Sequence, residues 1–184
     1  MFKISALFVL LSVGAYAGPI TWTLQGITFA DGGTASGSFA YDATANVYSA
    51  INITTTTGSQ ITGATYSFLD PANIPFDGPS ELFVVTSNAA NLSGTPLLDF
   101  YWSPVLTNAG GTDNPVTLGS AEGMCTSATC STVNQSPSSY RIMTGGSVTT
   151  TPTATPEPAT FLLVGCALGF LEYRRRSFTF GSRR

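Results

Sequence analysis

From residue 18 to residue 150 short runs alternate apolar and polar side chains with a period of two, and no stretch carries the spacing of an amphipathic helix. Ile20-Thr21-Trp22-Thr23-Leu24 alternates, as does the run from Ala35 to Tyr41. Val47 to Thr57 places Val47, Ser49, Ile51 and Ile53 on one face, and Tyr66 and Phe68 share a face. Leu82-Phe83-Val84-Val85 and the run Leu97 to Trp102 are denser and read as strands covered on both sides. Val116 to Ala121 and Tyr140 to Val148 complete the set. Turn chemistry separates the runs: Asp31-Gly32-Gly33, Asp42 to Asn46, Asp70-Pro71, Asp77-Gly78-Pro79 and Asn108 to Gly111. Within this series, Phe39 and Tyr41 point inward along a hairpin whose turn Asp42 and Asn46 shape. The pattern predicts an all-β domain over 18–148, an antiparallel β-sandwich of jelly-roll type.

The two ends are built differently. Lys3, an apolar run from Ile4 to Val13, and small residues at Ala15 and Ala17 form the three parts of a secretory signal peptide, so 1–17 is expected to be cleaved after Ala17. Residues 149–155 are a Thr/Pro-rich linker, expected to be extended. Beyond it lie Pro156-Glu157-Pro158, an apolar stretch from Ala159 to Leu171, and Arg174-Arg175-Arg176. As a helix that stretch would rise roughly 20 Å, against a hydrocarbon core about 30 Å thick. The arginine stems and local thinning of the bilayer can make up the difference. The cluster favours a cytoplasmic C-terminus, the same orientation that the signal peptide demands.

Residues 156–176, a Pro-Glu-Pro element followed by a small-residue apolar helix and an arginine cluster, resemble the PEP-CTERM sorting signal, and 177–184 form a short tail beyond it. The resemblance implies an exported protein held briefly in the inner membrane and handled there by exosortase. It would then be delivered to the cell surface or to the extracellular matrix, often near extracellular polysaccharide. Glu172 and Tyr173 separate the apolar run from the arginines, a departure from the usual order. The stretch from Gly37 to Thr57 also resembles a segment recurrent in uncharacterised proteins of this kind, a likeness that carries no activity with it.

Charge sharpens the picture. Residues 18–155 hold eight acids and one base, Arg141, a net charge of −7 against −3 for the whole chain. A nucleic-acid partner is not expected, because that affinity comes from neutralised phosphates. Cys125 and Cys130, with four residues between them in an exported chain, are expected to form a disulfide. The chain has no histidine, and its one lysine is Lys3, which excludes histidine triads, histidine metal sites and lysine-based covalent catalysis from the domain.

No cofactor is expected. If a metal binds, calcium suits the oxygen-rich loops holding Asp31, Asp42, Asp70, Asp77 and Asp113, although none has EF-hand spacing. Three functions follow. The first is a non-enzymatic surface or matrix protein with a structural or adhesive role. The second is a carbohydrate-binding module with Trp22, Tyr48, Tyr101 and Trp102 as stacking platforms, the competing role of such aromatics being to fill a core. The third is a glycoside hydrolase working through two of Asp70, Asp77, Glu81 and Asp99.

Overall fold

The alternation folds into eleven antiparallel strands in a computed structural model of the chain, which describes residues 18–71, 78–115, 119–131, 133–150 and Ala167. They are β1 (Ile20–Phe29), β2 (Thr34–Asp42), β3 (Val47–Thr55), β4 (Thr65–Tyr66), β5 (Phe68–Leu69) and β6 (Glu81–Val85). There follow β7 (Pro96–Ser103), β8 (Thr112–Pro115), β9 (Ala121–Cys125), β10 (Val133–Asn134) and β11 (Tyr140–Thr150). The signal peptide with Ala15 and Ala17, residues 151–155 of the linker, and Pro156, Glu157, Pro158, Arg174, Arg175 and Arg176 of the sorting signal lie outside the described residues. So does Asp77. Among the described residues no helix is long and apolar enough to cross a membrane.

The domain is all-β and antiparallel, with no helix among the described residues of 18–150. One layer runs β4-β3-β2-β1-β11-β8, and the other joins β5, β6, β7, β9 and β10. β11 belongs to both: Tyr140–Ile142 pair with β9, whereas Met143–Thr150 pair with β1. With β8 bonded to both β7 and β11, the sheet wraps round into a barrel-like form.

Two irregularities decide which side chains face inward. In β1, three residues stand opposite two of β2 between Thr23 and Ile27, so Leu24 and Ile27 are both buried despite their odd spacing. In β3, Ala50 takes a left-handed φ of 49° where the β2–β3 register shifts. The extra residue reverses the alternation: Tyr48 and Ile53 are buried and Val47 is 51% exposed. The single face expected for Val47, Ser49, Ile51 and Ile53 therefore does not form. Tyr66 and Phe68 also part company, Tyr66 in the core and Phe68 exposed.

The core between the layers is an aromatic ladder. Tyr41 and Tyr48 lie 4.4 Å apart by ring centroid, Phe39 bridges Tyr48 and Trp102 at 5.5 and 5.6 Å, and Phe100 stacks on Trp102 at 5.0 Å. Tilted and offset contacts of this kind add about 0.5–1.5 kcal/mol per pair beyond burial. The ladder consumes the two polar tips that can bond: Tyr41 donates to Asn46 Oδ1 and Tyr48 to the Gly78 carbonyl. The indole N–H groups of Trp22 and Trp102 are buried with no acceptor among the described residues.

A second, smaller cluster (Val85, Leu92, Leu97, Cys125 and Cys130) sits on the outer face of the β6–β7–β9 layer. Cys125 and Cys130 are at disulfide distance, their Cα atoms 4.8 Å apart. The loop they close and the segment before β7 cover Leu97, and the Leu92 N–H donates to the Ala128 carbonyl. The rest of that outer face is open, so Phe83, Asp99 and Tyr101 are only half-buried, not covered on both sides as the dense runs suggested. Two more boundaries move. Of the strand expected over Val116 to Ala121, residues 116–118 lie outside the described residues, Gly119 and Ser120 belong to no strand, and Ala121 opens β9. Thr149 and Thr150, assigned to the linker, pair with Thr23 and Trp22 inside β11.

A polar trough and a buried ionic cluster

Antiparallel register assembles the trough. Asp99 and Tyr101 are two apart on β7 and share its outer face; Glu81 of β6 lies opposite Tyr101, and Ala121 of β9 lies opposite Asp99. Gly123 of β9 faces Leu97 on one side and Tyr140 of β11 on the other. The result is a depression of about 280 Å³ walled by Tyr101, Asp99, Tyr140 and Gln135. Its floor is Gly119, Ala121 and Gly123. A Cβ at Gly119 would stand 2.9 Å from the Tyr101 ring, and one at Gly123 3.1 Å from the Tyr140 ring. The missing side chains are what let both rings lie against the sheet. Ile142, opposite Ala121, extends the trough with a 45% exposed apolar side chain.

The trough is acidic. Burial and the neighbouring Glu81 and Asp99 carboxylates hold the pKa of Tyr101 far above that of an ordinary phenol. Burial and the Asp99 charge raise Tyr140 as well. Both tyrosines therefore stay protonated donors across the biological pH range.

A different cluster fills the inward side of the same strands. Glu122 of β9 and Arg141 of β11 are directly opposite one another and both point between the layers. Arg141 Nη2 lies 2.7 Å and Nε 3.0 Å from Glu122 Oε2. Its Nη1 donates to both Asp31 oxygens at 3.2 Å and to the Thr56 carbonyl at 3.0 Å. The guanidinium stands 4.3 Å over the Phe29 ring. Tyr66 and Thr55 donate to Glu122 Oε1. Gly33 is required here, because a Cβ at that position would collide with Arg141 Nη1.

Burial pushes the Glu122 carboxyl above its usual range, against the opposing pull of Tyr66, Arg141 and Thr55. For Asp31 burial acts in the same direction but loses: the N–H groups of Gly33, Gln60 and Ile61 together with Arg141 hold it below the usual carboxylate range. An acid whose folded pKa lies below its unfolded value, about 3.9 for aspartate, stabilises the fold fully above that value. The contribution disappears as the pH falls through the lower, folded pKa. Stability is thus expected to drop below about pH 4, and Asp31→Asn to flatten that drop. Urea midpoints measured from pH 2.5 to 6 on both proteins check this; parallel pH profiles would remove Asp31 from the account.

The sequence-derived candidates divide sharply. Trp22, Tyr48 and Trp102 are buried in the core and offer no ring face to a sugar; Tyr101 alone of the four reaches the trough. Of the hydrolase acids, Asp99 lines the trough and Glu81 lies opposite Tyr101 on the neighbouring strand, while Asp70 is fully buried. The carboxylates of Asp31 and Asp42 are bonded to nearby donors, Asp42 to Thr44, Ala45 and Asn108. No cluster of three or more acids, cysteines or histidines that could hold a metal occurs among the described residues. Tyr140, Gln135 and Glu122 were not visible as site residues in the sequence. Arg141 stood out only by its charge. Compared with known proteins, the chain matches no family model, no curated protein and no solved structure.

Proposed function

We propose that this is an exported, non-catalytic surface or matrix protein, delivered through the exosortase route, that adheres to extracellular polysaccharide through the trough over β9. The signal-like N-terminus and the PEP-CTERM-like tail support the route. In this reading the body is a jelly-roll-like β-sandwich that presents one outer face to its ligand.

One observation carries the adhesive half: two tyrosine rings held against a glycine-floored groove beside a carboxylate and an amide. A pyranose presents C–H groups on its face and hydroxyls around its rim. Aromatic walls meet the first, and Asp99, Gln135 and the phenols meet the second. The volume suits one or two sugar units of a longer chain.

The test starts from the secreted product. Its intact mass should begin at Gly18 and end near Pro156, and it should be retarded in gels cast with the matrix polysaccharide. Tyr140→Ala should weaken retention at least about tenfold, the loss of a single good contact, with an unchanged melting temperature. Retention that survives in Tyr140→Ala and in Tyr101→Ala alike would sink the reading. A second reading, hydrolysis by a carboxylate pair, draws on Glu81 and Asp99 standing on the same outer face on adjacent strands. New reducing ends released by the wild type and abolished in Glu81→Gln would favour it.

A further inference from the structure

We infer that the trough takes a 6-deoxyhexose, seating the C6 methyl group at its Leu97 end and disfavouring the hydroxymethyl group of an ordinary hexose; this rests on the polysaccharide-binding reading and adds a ligand class to it. The argument begins with how the lining changes along β9. Beside Gly119 stands the Tyr101 ring, and opposite Ala121 stands Asp99. Opposite Gly123 stands Leu97, with Val133 and Tyr140 closing the other side. One end of the trough is therefore polar and the other apolar.

The apolar end abuts the smaller core cluster. Leu97 belongs to that cluster with Leu92, Cys125 and Cys130, and Val133 packs against it. Val133 lies opposite Cys125, two residues beyond Gly123 on β9, so the loop closed by the cysteines stands at this end. Backbone groups here are already spent. Gly123 is in register with both Leu97 and Tyr140, the Met124 N–H donates to the Ser139 carbonyl, and the Cys125 N–H donates to the Thr95 carbonyl.

The end is also narrow. A Cβ at Gly123 would lie 3.1 Å from the Tyr140 ring and 3.2 Å from Val133 Cβ, so these two side chains close down over the floor. A hexose lying over β9 turns its ring hydroxyls toward the rim, where Gln135 is exposed, and has one exocyclic carbon to place. A methyl group at the Leu97 end gains apolar contact. A hydroxymethyl group there gives up water for a surface of Leu97 and Val133, and its oxygen goes unpaired. An enclosed apolar pocket rejects an added hydroxyl by up to about a hundredfold. The trough is open on its outer side, so about tenfold is expected here.

Methyl glycosides in pairs that differ only in the oxygen on C6 supply the test: L-fucoside with L-galactoside, L-rhamnoside with L-mannoside, and 6-deoxy-D-glucoside with D-glucoside. Each is titrated into the exported domain and followed by the Tyr101 and Tyr140 ring resonances, with saturation transfer to identify the ligand protons nearest the protein. In whichever pair binds, the 6-deoxy member should bind about tenfold tighter, and its C6 methyl protons should receive the strongest saturation. Val133→Thr keeps the side-chain shape and adds a hydroxyl, so it should bring the ratio down several-fold by giving the hydroxymethyl group a partner.

Val47→Thr is the control, the same exchange at an exposed position of β3. A ratio lowered in Val133→Thr and kept in Val47→Thr, with both melting temperatures near that of the wild type, supports the inference. A ratio that is unchanged in Val133→Thr, or that falls equally in Val47→Thr, overturns it. Equal binding within every pair would overturn the methyl preference and leave the glycan site standing. Binding of none of the six, with the matrix polysaccharide still retarding the protein, would also overturn this inference alone; loss of that retardation as well would overturn both.

Discussion

Arg141→Ala is expected to cost about 3–5 kcal/mol of folding stability, a large share of the 5–15 kcal/mol that a typical domain possesses. The reason is not the lost attraction alone. The guanidinium makes bonds to Glu122, Asp31 and the Thr56 carbonyl, and Glu122 is fully buried. Without Arg141, a carboxylate remains in a low-dielectric interior with only the Tyr66 and Thr55 hydroxyls for support. Urea denaturation at pH 7 measures the loss. A companion variant tests the cause. Arg141→Met with Glu122→Leu and Tyr66→Phe removes the Arg141 and Glu122 charges and the phenol that would be stranded, leaves Asp31 with the Gly33, Gln60 and Ile61 N–H groups, and should recover much of the stability. If the single and triple variants are equally unstable, packing around the arginine, rather than the uncompensated charge, holds these strands together.

Trp102→Ala should be nearly as damaging, about 3–5 kcal/mol. The indole lies 3% exposed between Phe39 of β2 and Phe100 of β7, so it ties the two layers together. Its removal leaves a cavity that rings on both sides cannot collapse to fill. Trp102→Phe should cost much less than alanine. It keeps a ring in the ladder and deletes an indole N–H that is buried without an acceptor among the described residues. Thermal melts of the two variants give the comparison. The same pair tests the role of this residue. A core tryptophan lowers stability and leaves glycan retention untouched in the folded fraction; an effect on retention at constant stability would return Trp102 to the surface role first considered for it.

Both predictions concern residues whose place the sequence misrepresents, in opposite ways. Trp22, Tyr48 and Trp102 look like ligand platforms by type, yet a large ring on a strand is worth most where it excludes water, and the ladder puts them there. Tyr101 has the same composition signal and a different fate, because its register places it opposite Glu81 on the outer face. Arg141 and Glu122 look like solvated charges. They are buried because they lie opposite each other and beneath Tyr66, Thr55 and Asp31, from other strands and loops. Strand β9, Ala121 to Cys125, was hard to recognise for this reason. In its first three residues an acid, Glu122, points inward between Ala121 and Gly123, so the usual hydrophobic alternation is missing there.

What the sequence settles by itself is local. Two-residue periodicity, β-branched and aromatic runs, and the Gly, Asp and Asn turns determine that the chain forms antiparallel β-structure, because those signals act within a few residues of one another. The Asp42 turn, for instance, is bonded by its own neighbours Thr44 and Ala45. Which strand lies beside which, and hence which face each residue takes, is decided only in three dimensions. The bulges at Ala50 and between Thr23 and Ile27 reverse the alternation, and register sets distant residues side by side, as with Tyr140 and Gly123. Trough and ionic cluster occupy opposite sides of the same few strands, and one step of register would exchange them.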